Sequence, residues 1–170
     1  MIRDHLFNTE KIKYVKSRKT GSGCILCAIR DRDPDVKSLE VFRSGGLIVT
    51  LNLYPFNPGH LMIFPARHID DISLLDKGEA AGLHELLVKA LKILKEEFDA
   101  SGFNVGYNLG ENSGASIAHI HMQIVPRYPN ELGFIDIISG SRVYVNDPAA
   151  VMDRLKKRFE EAEAEDVTTG

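Results

Sequence analysis

Apolar and polar positions change their period several times along the chain. Leu39–Arg43 and Leu47–Leu53 are apolar runs separated by Ser44-Gly45-Gly46, which predicts two strands joined as a hairpin. Tyr54-Pro55-Phe56-Asn57-Pro58-Gly59 reads as a turn-rich connector, and His60–Pro65 as the next strand. Leu83, Leu86, Leu87, Ala90, Leu91, Leu94 and Phe98 then recur at helical spacing, so a long helix with a core-facing stripe is expected over 76–98. Asp76 with Glu79 resembles a capping box at its start, and Gly102 follows its end. Phe103–Leu109 reads as a strand. Ala118–Arg127 has period 2, with His119, His121 and Gln123 on one face and Ile120, Met122 and Ile124 on the other.

The flanks are less periodic. Residues 1–20 read as a leader with a basic end, and 30–38, around Pro34, as an exposed loop. Arg142–Val145 reads as one more short strand amid turn signals. Asp147-Pro148 begins a last helix whose apolar face is Val151, Leu155 and Phe159, and residues 163–170 are expected to fray. Strands joined by short turns imply antiparallel pairing, hence an α+β fold, with the whole of 1–170 as one domain.

Composition narrows the function. The 170 residues are 44% hydrophobic and 26% charged, ordinary for a globular protein able to bury a core. A net charge of -3 gives no global basic field for nucleic acid or an anionic membrane, so any anion site must be local. No run approaches a membrane span, and the stretch from Met1 to His5 lacks the apolar core of a signal peptide. The expected compartment is the cytoplasm, where Cys24 and Cys27 make a poor disulfide framework.

The candidate chemistry gathers near the alternating histidines. Gly110-Glu111-Asn112-Ser113-Gly114-Ala115-Ser116 is a loop of small residues whose backbone N–H groups and hydroxyls suit a phosphate. A neutral His121 imidazole can attack phosphorus, while His60, after Asn57-Pro58-Gly59, can reach the same phosphate. The plainer alternatives are a solvent-facing polar strand and a strand-edge histidine. Cys24-x-x-Cys27 has the spacing of a zinc knuckle, with His68 and His119 as the other candidate ligands; reduced thiols without metal are the alternative. His5 carries no pattern, and His84 reads as a surface residue of the long helix.

His119-Ile120-His121-Met122-Gln123-Ile124-Val125 resembles the signature of the histidine triad (HIT) family. Asn52, Pro58-Gly59-His60, Asn108-x-Gly110, Ser113-Gly114 and Pro126-Arg127 extend the likeness over about residues 24–127. The resemblance implies an α+β fold with a five-stranded antiparallel sheet, a homodimer, and action on a nucleotide α-phosphate through a nucleotidyl-histidine. It makes His121 the nucleophile and His60 the outlying histidine. Asn52 falls at the ribose, residues around Leu51 beside the base, and Asn108, Ser113, Gly114 and Ala115 at the α-phosphate. It also implies a structural zinc on Cys24, Cys27, His68 and His119. Gln123 departs from the third histidine of hydrolytic members. Glutamine cannot release a proton to a leaving group. His-x-His-x-Gln is similar to the nucleotidyltransferase branches, and the short chain looks like the small bacterial diadenosine tetraphosphate phosphorylases. The expected substrate is therefore a dinucleoside polyphosphate, with phosphate as acceptor. The alternatives are a nucleotide hydrolase of the same family and a nucleotide-binding regulatory module without turnover.

Overall fold

The computed structural model describes residues 23–129 and 148–169. The leader, His5 and the expected strand at Arg142–Val145 lie outside the described residues. Five strands form one sheet: β1 (Glu40–Ser44), β2 (Leu47–Leu51), β3 (Leu61–Pro65), β4 (Gly102–Gly106) and β5 (Met122–Arg127). Their order is β1-β2-β3-β5-β4, and every neighbouring pair is antiparallel. Among the described residues three α-helices accompany them: α1 (Ile25–Arg30), α2 (Lys77–Phe98) and α3 (Pro148–Thr169). The α+β class and the five-stranded antiparallel sheet agree with expectation.

Alternation in the strands sorts the interior into two layers. Leu61, Ile63, Met122 and Ile124 join Leu83, Leu86, Ala90, Ile93 and Leu94 of α2 and Val151, Leu155 and Phe159 of α3. On the opposite sheet face, Ile48, Met62 and Phe64 pack with Leu26 and Ile29 of α1. Each fully buried aliphatic or aromatic side chain contributes roughly 1.5–3 kcal/mol, so the α2 face supplies most of the core. The α2 N-terminus is a true capping box: Asp76 Oδ1 accepts from Glu79 N–H at 2.8 Å, and Glu79 Oε2 accepts from Asp76 N–H at 3.0 Å. Gly82 lets α2 settle on the sheet, because a Cβ there would stand 2.9 Å from Leu47 Cδ1.

Two of the boundaries that differ from the sequence reading have a visible cause. β5 begins at Met122, not Ala118, because the preceding chain turns away and Ile120 N–H donates to Ile69 O at 2.7 Å. β4 therefore ends at Gly106, paired with Gln123, and not at Leu109, since no partner strand continues beside it. α3 runs through the 163–170 segment as far as Thr169. Lys89 of α2 holds Glu163 at 2.5 Å and Asp166 at 2.9 Å, a tertiary clamp on the last turns. Among the described residues no helix is long and apolar enough to cross a membrane.

Candidate active site and metal centre

The face of the sheet opposite α2 and α3 carries a cavity of about 310 Å³. One part of its lining is apolar: Ile25, Leu26 and Ile29 of α1, then Val36 and Leu39. The other is polar: Asn108, Gly114, Ser116, His121 and Gln123. Leu51 and Asn52, at the end of β2, also line it. This is the arrangement of a small-molecule site, an apolar bed with a few converging polar groups.

Gln123 on β5 and His121, the residue just before its first position, both reach the cavity. His121 is buried, and its Nδ1–H donates to the carbonyl oxygen of His119 at 2.8 Å. That bond fixes the proton on Nδ1, so the lone pair of the neutral ring lies on Nε2. Asn52 Oδ1 accepts from Tyr54 N–H at 2.9 Å and shapes the start of the β2–β3 connector.

The structure separates the other expected residues. His60 is fully buried and is not among the cavity's lining. Its Nδ1 accepts from Phe56 N–H at 3.2 Å, and its ring stacks on Phe56, which does line the cavity. Gly110, Ser113 and Ala115 are likewise not in the lining. Ser113 Oγ donates to Gly110 O at 2.7 Å and accepts from Ala115 N–H at 3.3 Å, so these three build the loop that presents Gly114 and Ser116. Pro58-Gly59 is a turn under constraint: Tyr128 Oη donates to Pro58 O at 2.7 Å, and Gly59 has φ +76°.

Several lining residues were not singled out from sequence, including Thr50, Tyr54, Phe56 and Met62. Thr50 was the visible signal, a hydroxyl in an otherwise apolar strand. Ile25 and Ile29 were hidden because Cys24–Cys27 read as a knuckle, whereas Cys24 is the N-cap of a helix and Cys27 lies in its first turn.

Cys24, Cys27, His68 and His119 meet at one point, their ligand atoms all within 4.8 Å of one another. Cys24 Sγ lies 3.4 Å from His119 Nδ1, and Cys27 Sγ lies 3.3 Å from His68 Nδ1 and 3.7 Å from His119 Nδ1. A tetrahedral ion with sulfur at about 2.3 Å and nitrogen at about 2.0–2.1 Å spaces sulfur and nitrogen by about 3.6 Å. The three sulfur–nitrogen distances lie close to that spacing, so the donor set suits such an ion. His119 Nε2–H donates to Pro65 O at 2.9 Å, leaving Nδ1 as the ligating atom and supplying the outer hydrogen bond that metal-bound histidines use. Burial, opposed by that bond, lowers His119 to about 4, so the ring is neutral at neutral pH. Burial first, and then the adjacent Cys24, raises the Cys27 thiol; a bound cation would reverse that tendency and stabilise both thiolates.

The HIT domain family model matches residues 32–130. AP-4-A phosphorylase of Mycobacterium tuberculosis is 43% identical over 110 residues, 64% of this chain and 56% of that protein. The chain thus matches a little over half the length of that relative. Protein hit of Bacillus subtilis is 30% identical over 65% of this chain and 75% of its own length. A crystal structure of a zinc-bound histidine triad family protein from Mycobacterium smegmatis superposes with a TM-score of 0.68 at 21% identity, covering 84% of this chain and 97% of that one. At that identity the likeness speaks for the fold.

Proposed function

Because the chain belongs to the HIT domain family, we propose that it is a nucleotidyltransferase acting on the α-phosphate of a dinucleoside polyphosphate, with inorganic phosphate as acceptor. Diadenosine tetraphosphate is the favoured substrate, supported by the 43% identity to a protein named AP-4-A phosphorylase. The observation that carries this reading is His121 and Gln123 side by side in one cavity. A fixed neutral imidazole suits attack on phosphorus, while the amide beside it has no acidic proton for a poor leaving group.

The proposed steps balance as follows. His121 Nε2 attacks the α-phosphorus, a nitrogen–phosphorus bond forms, and the phosphorus–oxygen bond to the departing ATP breaks. ATP is a low-pKa leaving group and needs little acid help. An oxygen of inorganic phosphate then attacks the same phosphorus, the nitrogen–phosphorus bond breaks, and ADP departs from a neutral imidazole. Asn108, Gly114 and Ser116 are the proposed donors to the α-phosphate, and Asn52 the partner of the ribose. The side chains around Leu51 and α1 flank the base. His60 acts through Phe56 and the connector, and Gly110, Ser113 and Ala115 through the loop's shape.

Zinc is the proposed occupant of Cys24, Cys27, His68 and His119, where it would neutralise two thiolates and cross-link α1 to the chain entering β5. With four protein ligands it would be structural. A homodimer, as the family resemblance implies, would use the terminal strand β4, where Val105 is 44% exposed. The proposed setting is the cytoplasm.

The test is incubation of the purified protein with diadenosine tetraphosphate, with and without inorganic phosphate. Equal amounts of ATP and ADP, formed only with phosphate, are expected. AMP released at a comparable rate without phosphate would replace the transferase by a hydrolase. Binding without turnover would leave a regulatory module.

A further inference from the structure

Phe56 is an unusual residue for a loop. It is 58% exposed, yet it borders the cavity, and both its backbone and its ring contact His60. Its ring lies parallel to that of His60, with centroids 5.6 Å apart and planes 22° apart. Its N–H is held by His60 Nδ1 at 3.2 Å. His60 is itself fully buried: its N–H donates to Asn57 O at 3.1 Å, and its carbonyl accepts from Asn52 N–H at 2.9 Å. Asn57 Nδ2 donates to Pro126 O at 2.6 Å, which ties the connector to β5. A large aromatic surface is thus kept at the rim by buried contacts beneath it. Leu53, 38% exposed, adds apolar surface to the same rim.

The volume of the cavity says what that surface is for. About 310 Å³ is at the bottom of the range for small-molecule sites, roughly 300–1,000 Å³. It accommodates one nucleotide. The second nucleoside of a dinucleotide must then lie outside the cavity. The register of β2 and β3 puts the connector at the opposite end of these strands from Ile48 and Phe64, which α1 covers. Phe56 therefore lies away from the apolar bed, on the side of the buried His60.

We infer that Phe56 is a stacking platform for the second purine base of the dinucleotide, a subsite outside the cavity. This rests on the dinucleotide reading of the site. Its chemistry is sequence-tolerant: any purine offers a π-face, and a rigid ring is already ordered when the base arrives. The subsite makes the chain prefer a ligand with a nucleoside at both ends over one with the same phosphates and a single nucleoside.

The experiment compares diadenosine tetraphosphate with adenosine 5′-tetraphosphate by calorimetry in His121→Ala protein, which keeps the ligands intact. With Phe56 present, the dinucleotide should bind about tenfold more tightly. Phe56→Leu, which keeps apolar bulk against His60, should reduce that ratio to within about twofold. Phe56→Trp should preserve it. An equal ratio in the Phe56 and Phe56→Leu proteins would overturn the platform. So would a parallel loss of AMP and dinucleotide affinity, which would mean that Phe56 acts only by holding His60. Failure of the Phe56 protein to bind AMP at all would instead refute the nucleotide reading, and the platform with it.

Discussion

The two faces of the sheet do different work, and Phe159→Ala separates them. Phe159 is fully buried in α3 and stacks on Phe42 of β1, with ring centroids 5.3 Å apart. It belongs to the α2 layer, across the sheet from the cavity. Removing such a ring loses its transfer free energy and leaves a void, about 3–5 kcal/mol in all. For a chain of this size each kcal/mol lowers Tm by about 2–4 °C, so a fall of about 6–20 °C is expected. Nucleotide affinity measured well below that transition should stay within about twofold, because Phe159 itself is not part of the cavity's lining. Thermal scans with and without AMP, followed by titration at low temperature, give both quantities. A fall of less than about 3 °C would refute the packing argument. A tenfold loss of AMP affinity in folded protein would refute the separation of faces and mean that α3 acts on the site.

Three further outcomes follow from particular contacts. Gly59→Ala should destabilise the fold by about 1–2 kcal/mol or more, since the left-handed backbone carries that cost alone and a Cβ would stand 2.9 Å from Leu94 Cδ2; urea denaturation reads it. Glu79, held by two 2.6 Å bonds to Arg67, has its carboxyl below the ordinary 4.5. Its contribution is therefore complete above pH 4.5 and lost as pH falls through the depressed value, so Glu79→Gln should flatten the acid limb of stability against pH. Cys24→Ser should lower zinc content and Tm while leaving the chemical step of the surviving folded protein within about tenfold; elemental analysis and single-turnover kinetics check it, and normal stability with less than about a tenth of an equivalent of zinc in the parent would remove the metal site.

Much of this architecture is legible in local pattern. The 3.6 period from Leu83 to Phe98 and the Asp76–Glu79 pair set α2, because both signals act within a turn or two of the chain. Alternation predicts the sides taken by residues 121–124: His121 and Gln123 to the cavity, Met122 and Ile124 to the core. What local pattern could not supply was long-range. The start of β5 coincides with Ile69 O capturing the Ile120 N–H, and the Lys89–Glu163 ion pair joins α2 to α3 across distant sequence. The same limit applies to the site. His121 and Gln123 stand out by type and spacing, and Asn52 and Asn108 through the family resemblance, whereas Phe56 is an ordinary residue until the fold brings it to the cavity. The place of His60 after Asn57-Pro58-Gly59 suggests that it can reach the phosphate; in the fold its ring stacks on Phe56.

The central claim, that His121 accepts the nucleotidyl group, is tested most directly by its intermediate. Protein mixed with diadenosine tetraphosphate in phosphate-free buffer should be quenched at alkaline pH, where phosphoramidates survive, and digested for mass spectrometry. The peptide carrying His121 should gain one adenylyl group, and adding phosphate before the quench should discharge it as ADP. An unmodified His121 peptide during active turnover, or an adenylyl group on another residue, would contradict the account.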